Sequence, residues 1–200
     1  MAKTRYSDNV TFLLSAAHLT HLPPDFGNEV AFIGRSNVGK SSAINIIAGI
    51  KRLARVGKTP GVTQLINVFL IDKNKRLIDL PGYGYAKVPG PIQENWHKLV
   101  NGYLEQRQSL RGLFLLMDSR HPLGENDLEL LNWAIESKLP LCILLTKADK
   151  LKRSEANAVL RKVQEEVKQH SDLVTVLLFS AQERTGLNEV FKQLDLWLKI

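Results

Sequence analysis

Apolar residues recur along this chain in short runs separated by turn-forming residues, and the runs switch between strand and helix periods. Residues 29–34 read as a short apolar strand, and a helical stretch over 40–48 follows and stops at Gly49. Residues 64–71 and 75–80 read as two strands joined by Asp72-Lys73-Asn74, a hairpin turn. Helices are predicted over 92–107, 126–137, 154–170 and 187–198, and apolar strands over 112–117, 141–145 and 173–179. Such alternation predicts a mostly parallel sheet with helices on both faces, and the hairpin adds one antiparallel strand. The expected fold is three-layered α/β/α.

The N-terminal part is read as an arm of this fold. Residues 10–14 form a short apolar run behind Lys3 and Arg5, interrupted on approach by Asp8 and Asn9. That is too short for the core of a signal peptide, so an edge strand is expected. Leu22-Pro23-Pro24-Asp25-Phe26-Gly27 then makes a turn. At 200 residues the chain is long enough for one core and short for two, so a single unit is expected, with 1–27 as strand and arm and 28–200 as core. No apolar run reaches membrane-span length, and the lone Cys142 sits inside an apolar run as a buried thiol. A cytoplasmic monomer is expected. The net charge of +7 fits an anionic partner or a merely solvated basic surface.

The chemistry concentrates in Gly34-Arg35-Ser36-Asn37-Val38-Gly39-Lys40-Ser41-Ser42, which contains G-x-x-x-x-G-K-S between a strand and a helix. This is the pattern of a phosphate-cradling P-loop. Backbone N–H groups and the positive end of the helix attract phosphate oxygens. Lys40 is expected at the β- and γ-phosphates and the Ser41 hydroxyl on Mg²⁺.

Loops that follow strands carry the rest, because ligands bind at the carboxyl ends of such sheets. Asp79-Leu80-Pro81-Gly82 is a D-x-x-G: Asp79 is expected to approach Mg²⁺ through water and the Gly82 N–H to meet the γ-phosphate. The overlapping Gly82-Tyr83-Gly84 lacks a third glycine and a helix, so it makes a poor dinucleotide fingerprint. Thr146-Lys147-Ala148-Asp149 places a carboxylate that can accept from the N1–H and amine of guanine but is repelled by adenine N1. Backbone N–H groups of Phe179-Ser180-Ala181 can meet guanine O6. In the basic loop 51–63, Thr63 of Gly61-Val62-Thr63 is favoured over Thr59 as the second Mg²⁺ ligand, present only with γ-phosphate. Together these motifs predict a guanine-nucleotide switch.

GRSNVGKSS, KTPGVTQLINVF, LIDLPGYGYAKVP, SLRGLFLLMDSRHPL and LLTKADKL resemble the EngB (YihA/YsxC) GTPases of bacteria, from about Phe12 to the C-terminus. The resemblance implies a Ras-like G domain, slow Mg²⁺-dependent GTP hydrolysis, a role in assembling the large ribosomal subunit and a need for it in normal division septum formation. Ribosomal RNA would then be the anionic partner, with Lys51, Arg52, Arg55 and Lys58 as candidate contacts, and ribosomal proteins would be partners beside it. Tyr83 stands where Ras-type proteins carry a water-orienting glutamine, which predicts slow intrinsic hydrolysis. Related GTPases with Asn at the position of Asn37 use it to help bind K⁺; the alternative is that this loop position simply tolerates Asn. Lys40, Thr63 and Asn37 are thus the candidate catalytic groups, and Arg120 and His121 are read as structural or partner-facing.

Two other classes compete. A small-molecule kinase shares the P-loop but lacks T-K-x-D, and a nucleotide-stabilised module of the division machinery would ignore ribosomes.

Overall fold

The computed structural model describes residues 6, 10–54, 65–84 and 90–200. Seven strands form one sheet: β1 (Thr11–Ala16), β2 (Asn28–Gly34), β3 (Ile66–Asp72), β4 (Lys75–Asp79), β5 (Leu110–Asp118), β6 (Leu141–Thr146) and β7 (Val174–Leu178). Their order across the sheet is β1-β3-β4-β2-β5-β6-β7. β3 pairs antiparallel with both β1 and β4, while β4, β2, β5, β6 and β7 pair in parallel. Only β3 therefore runs against the rest. This is the expected fold, a mostly parallel α/β sheet with one reversed strand.

The helices are α1 (Lys40–Ala48), α2 (Gly90–Gln106), α3 (Glu125–Glu136), α4 (Arg153–Glu166) and α5 (Leu187–Leu198). Both faces of the central strands are buried, so alternate side chains feed two cores. Val30, Phe32, Phe114 and Leu144 pack with Ile44 and Ile47 of α1 and Val190, Leu194 and Trp197 of α5. Ala31, Ile33, Leu115 and Ile143 face the other way, with Trp96 and Tyr103 of α2, Leu131 of α3 and Val163 of α4. Helices 2–4 thus cover one face and helices 1 and 5 the other.

Predicted boundaries shift at several elements, and two of the shifts have a visible cause. The helix opening near Ser154 ends at Glu166, and Lys168–His170 form a separate 3-10 turn beyond buried Val167. The strand predicted from 112 begins at Leu110, where Glu29 of β2 already pairs with it. Pairing of Phe32 with Asp79 on one side and Phe114 on the other brings the ends of β2, β4 and β5 to one rim. Among the described residues no helix is long and apolar enough to cross a membrane.

Candidate functional site

The phosphate loop leaves β2 at Gly34 and enters α1 at Lys40. Its two motif glycines serve different ends. A Cβ on Gly34 would stand 2.6 Å from the Leu116 carbonyl of β5, so close strand approach requires it. Gly39 has φ +104°, a left-handed conformation that frees the first N–H groups of α1 to point out of the helix end. Asn37 is also left-handed, at φ +62°, and its side chain is exposed.

The D-x-x-G segment lies directly alongside. Leu80 N–H donates to Phe32 O (3.0 Å), Tyr83 N–H to Gly34 O (3.3 Å) and Ser36 N–H to Tyr83 O (2.8 Å). A Cβ on Gly82 would come within 2.9 Å of Gly34 O, so this pairing too needs a glycine. The Lys40 ammonium donates to Asp79 Oδ1, and Asn67 Nδ2 donates to Asp79 Oδ2 (3.1 Å). Lys40 and Asp79, expected on the phosphate and the metal, are therefore direct neighbours. Leu80 is wholly buried in the core, and the Pro81 carbonyl accepts from the Trp96 indole (3.0 Å), which ties this backbone to α2.

The T-K-x-D segment is tied to the same loop. Thr146 Oγ1 sits 2.7 Å from Val38 O and 3.1 Å from Met117 O, wholly inside the protein, so its hydroxyl locks β6 to the loop. Lys147 adopts φ +57° and donates to Asn37 O (2.8 Å). The same ammonium pairs with Asp118 at 2.9 Å. Arg120 grips that carboxylate through Nε (2.9 Å) and a terminal nitrogen (2.7 Å). The Arg120 hydrogen bonds, opposed by burial and aided by Lys147, hold Asp118 well below the usual carboxylate range. Asp118 was not singled out in the sequence; its place at a strand end just ahead of Arg120 was the available signal.

Asp149 has its own support. The buried Ser180 hydroxyl donates to Asp149 Oδ1 (2.7 Å), and Lys150 approaches Oδ2 at 3.2 Å. The Ser180 bond, against a burial penalty and with help from Lys150, lowers the Asp149 pKa. Ala148 N–H donates to Phe179 O (3.2 Å), fastening the two loops together. The Ser180 side chain was missed by sequence reasoning, which looked only to backbone N–H groups there.

The phosphate loop and the loops after β6 and β7 meet on one cavity of about 590 Å³, whose lining does not include the D-x-x-G segment or Lys40. Val38, Gly39 and Ser42 line it from the phosphate loop, and Thr146, Lys147 and Asp149 from the β6 end. Phe179 and Ala181 close it from the β7 end. Gly61, Val62, Thr63 and the alternative Thr59, with Arg55 and Lys58, lie outside the described residues. Arg120 and His121 are exposed, and His121 N–H closes a turn on Asp118 O (2.9 Å), so the pair shapes the loop after β5.

A glycine-rich loop between strand and helix, a paired D-x-x-G and a buttressed T-K-x-D on this sheet define a P-loop GTPase. The family model described as 50S ribosome-binding GTPase matches residues 29–147. The chain is 52% identical over 188 residues to the Probable GTP-binding protein EngB of Coxiella burnetii strain CbuG_Q212, covering 94% of this chain and 92% of that one. It is 53% identical over 186 residues to the EngB of strain CbuK_Q154, covering 93% and 91%. The chain belongs to the EngB family of GTP-binding proteins. In fold it is similar to the crystal structure of a probable GTP-binding protein engB, with TM-score 0.68 and 24% identity over 86% of this chain and 98% of that one. It is also similar to Era solved with MgGDPNP and nucleotides 1506–1542 of 16S ribosomal RNA, with TM-score 0.65 and 23% identity over 87% and 57%.

Proposed function

We propose that this GTPase is a nucleotide-controlled switch acting in assembly of the large ribosomal subunit, with slow hydrolysis of its own. The observation that carries the nucleotide half is Asp149, held ionised by Ser180 on the same cavity as the phosphate loop. A fixed carboxylate there accepts from guanine and rejects adenine. Support for the ribosomal half comes from the matched family's description and the net charge of +7. A requirement in septum formation, a cytoplasmic location, a monomeric state and one G domain over 1–200 belong to the same reading.

In this reading Gly34 to Ser42 wrap the phosphates and Lys40 leaves Asp79 to neutralise the β- and γ-oxygens. Gly82 and Thr63 sense the γ-phosphate, and Thr146 to Asp149 with Phe179 to Ala181 hold the base. Residues fit Mg²⁺ because Ser41, in the first turn of α1, directly follows Lys40, whose ammonium meets Asp79, so a hydroxyl and a carboxylate, both hard oxygen donors, belong to this end of the helix. Among the described residues no cluster of three His, Cys, Asp or Glu forms a cage, which suits an ion that keeps waters and phosphate oxygens. When bound, the ion neutralises charge on the β- and γ-phosphates. K⁺ at Asn37 is a further element of the proposal, and Tyr83 supplies no water-orienting group.

Two measurements test this. Calorimetric titration should give GDP binding and no ADP binding; equal affinities would return the site to the kinase class. Ribosomal-subunit co-sedimentation should differ between GDP and a non-hydrolysable GTP analogue, and absence from the large subunit with both would end the ribosomal reading.

A further inference from the structure

One wall of the nucleotide cavity starts at Ser42 of the phosphate loop and runs on past the GTPase motifs. Ser42, Asn45 and Ile46 lie at i, i+3 and i+4 on α1, so they share one face, and all three line the cavity. Lys51 and Arg52, just past the helix, line it as well. Both are exposed, and neither makes an ion pair or hydrogen bond among the described residues.

Their position is built. The Asn45 side chain clamps the backbone of Ala54: Oδ1 accepts the Ala54 N–H (2.7 Å) and Nδ2 donates to the Ala54 carbonyl (3.0 Å). Ile50 N–H donates to the Asn45 carbonyl (3.1 Å), so one residue holds both ends of the 50–54 turn. Ala54 itself is buried in the core beside α1. Within this turn Arg52 has φ +61°, a conformation that a non-glycine residue keeps only where its surroundings impose it. The clamp fixes this turn, and two cations that are unpaired among the described residues lie on the cavity wall beside it.

Which part of the ligand they meet follows from the two ends of the cavity. The β- and γ-phosphate end lies at Lys40, and Asn45 is about 7 Å further along the axis. The base end is set by Asp149. Between those ends a nucleotide carries its sugar and first phosphate, and Lys51 and Arg52 line the cavity that holds both ends. We propose that Lys51 and Arg52 take the ribose–α-phosphate portion of the guanine nucleotide, the portion GDP and GTP share. This rests on the guanine-nucleotide reading above, and it moves these two residues from RNA contact to nucleotide contact.

The test is calorimetry with GDP and a non-hydrolysable GTP analogue on wild type, the double variant Lys51→Ala/Arg52→Ala and Asn45→Ala. The double variant should lose about tenfold in affinity for both ligands alike, with a shallower salt dependence. Asn45→Ala, which keeps both cations, should lose part of the same affinity. Because Lys51 and Arg52 are exposed, thermal unfolding of the double variant should match wild type. Unchanged affinities, or a loss confined to the GTP analogue, would overturn the proposal. A wild-type protein that binds no guanine nucleotide would overturn the reading beneath it instead.

Discussion

The Tyr83 hydroxyl donates to the carboxylate of Asp127, and both residues are buried. Asp127 in turn accepts the Gly124 N–H (3.0 Å) through its other oxygen, capping α3. Tyr83 packs edge-on against Trp96, with ring centres 6.4 Å apart. Burial, with the neighbouring Asp127 charge, pushes the phenol far above its ordinary pKa, so it stays a neutral donor. The side chain that directly follows D-x-x-G is thus committed to the α2–α3 core.

That commitment predicts that restoring a glutamine will not restore catalysis. Tyr83→Gln should leave single-turnover GTP hydrolysis within about threefold of wild type while lowering stability by about 3 kcal/mol, through a lost aromatic and a buried carboxylate oxygen that loses its donor. Tyr83→Phe should cost only the hydrogen bond, about 1–2 kcal/mol. A large rate increase in Tyr83→Gln with normal stability would mean that position 83 turns toward the nucleotide.

Tyr83 also marks where the sequence stops being readable. Helix α1 and the β3–β4 hairpin were legible because their signals are local: period, a stop glycine, an Asx turn. The phosphate loop was legible for the same reason. The departures come from partners remote in the chain. Tyr83 and Asp127 are 44 residues apart, Ser180 and Asp149 are 31 apart, and Glu29 and Arg107 are 78 apart. Nothing near Leu80 or Pro81 in sequence says that a packed core and Trp96 claim them. Motif reading therefore picked out segments that the fold brings to one rim, and tertiary contacts show which of their side chains are engaged in the scaffold.

Asn37 offers a test of cation dependence. Its carbonyl is engaged by Lys147 and its exposed carboxamide is the group that a K⁺ ion would use. Hydrolysis should be at least about tenfold faster in KCl than in NaCl, within what a positive charge at the transferred phosphate supplies. Asn37→Gly keeps the left-handed backbone and the Lys147 contact, so it should abolish the difference alone. Equal wild-type rates in the two salts would leave Asn37 as a residue the loop merely tolerates.

Far from the nucleotide rim, the buried Glu29 carboxylate accepts from Arg76 (2.8 Å), Arg107 (2.9 and 2.7 Å) and Tyr103 (2.8 Å), joining β2, β4 and the end of α2. Burial alone would raise its pKa; the Arg107 and Arg76 bonds outweigh that and lower it from 4.5. A lowered folded pKa gives stability that is present above pH 4.5 and lost as pH falls through the folded value. Glu29→Gln should therefore cost about 3 kcal/mol near neutrality, or about 10 °C in Tm, and leave GDP affinity unchanged. The gap between wild type and variant should narrow as pH falls below 4.5. A pH-independent gap would assign the effect to packing.

Ser180 is the residue through which base selectivity can be loosened without touching the base-reading carboxylate. Its hydroxyl donates to Asp149 and accepts the Glu183 N–H (3.1 Å), so it is fixed from both sides. A carboxylate held this way can meet the N1–H and the exocyclic amine of guanine together, a two-point contact that depends on its angle. Hypoxanthine offers only the N1–H, so IDP depends less on that angle. Ser180→Ala should weaken GDP about tenfold and IDP by a smaller factor, compressing the preference between them. Asp149→Ala should remove the preference altogether. Equal losses for both nucleotides in Ser180→Ala would mean that the hydroxyl supports the loop as a whole and does not aim Asp149.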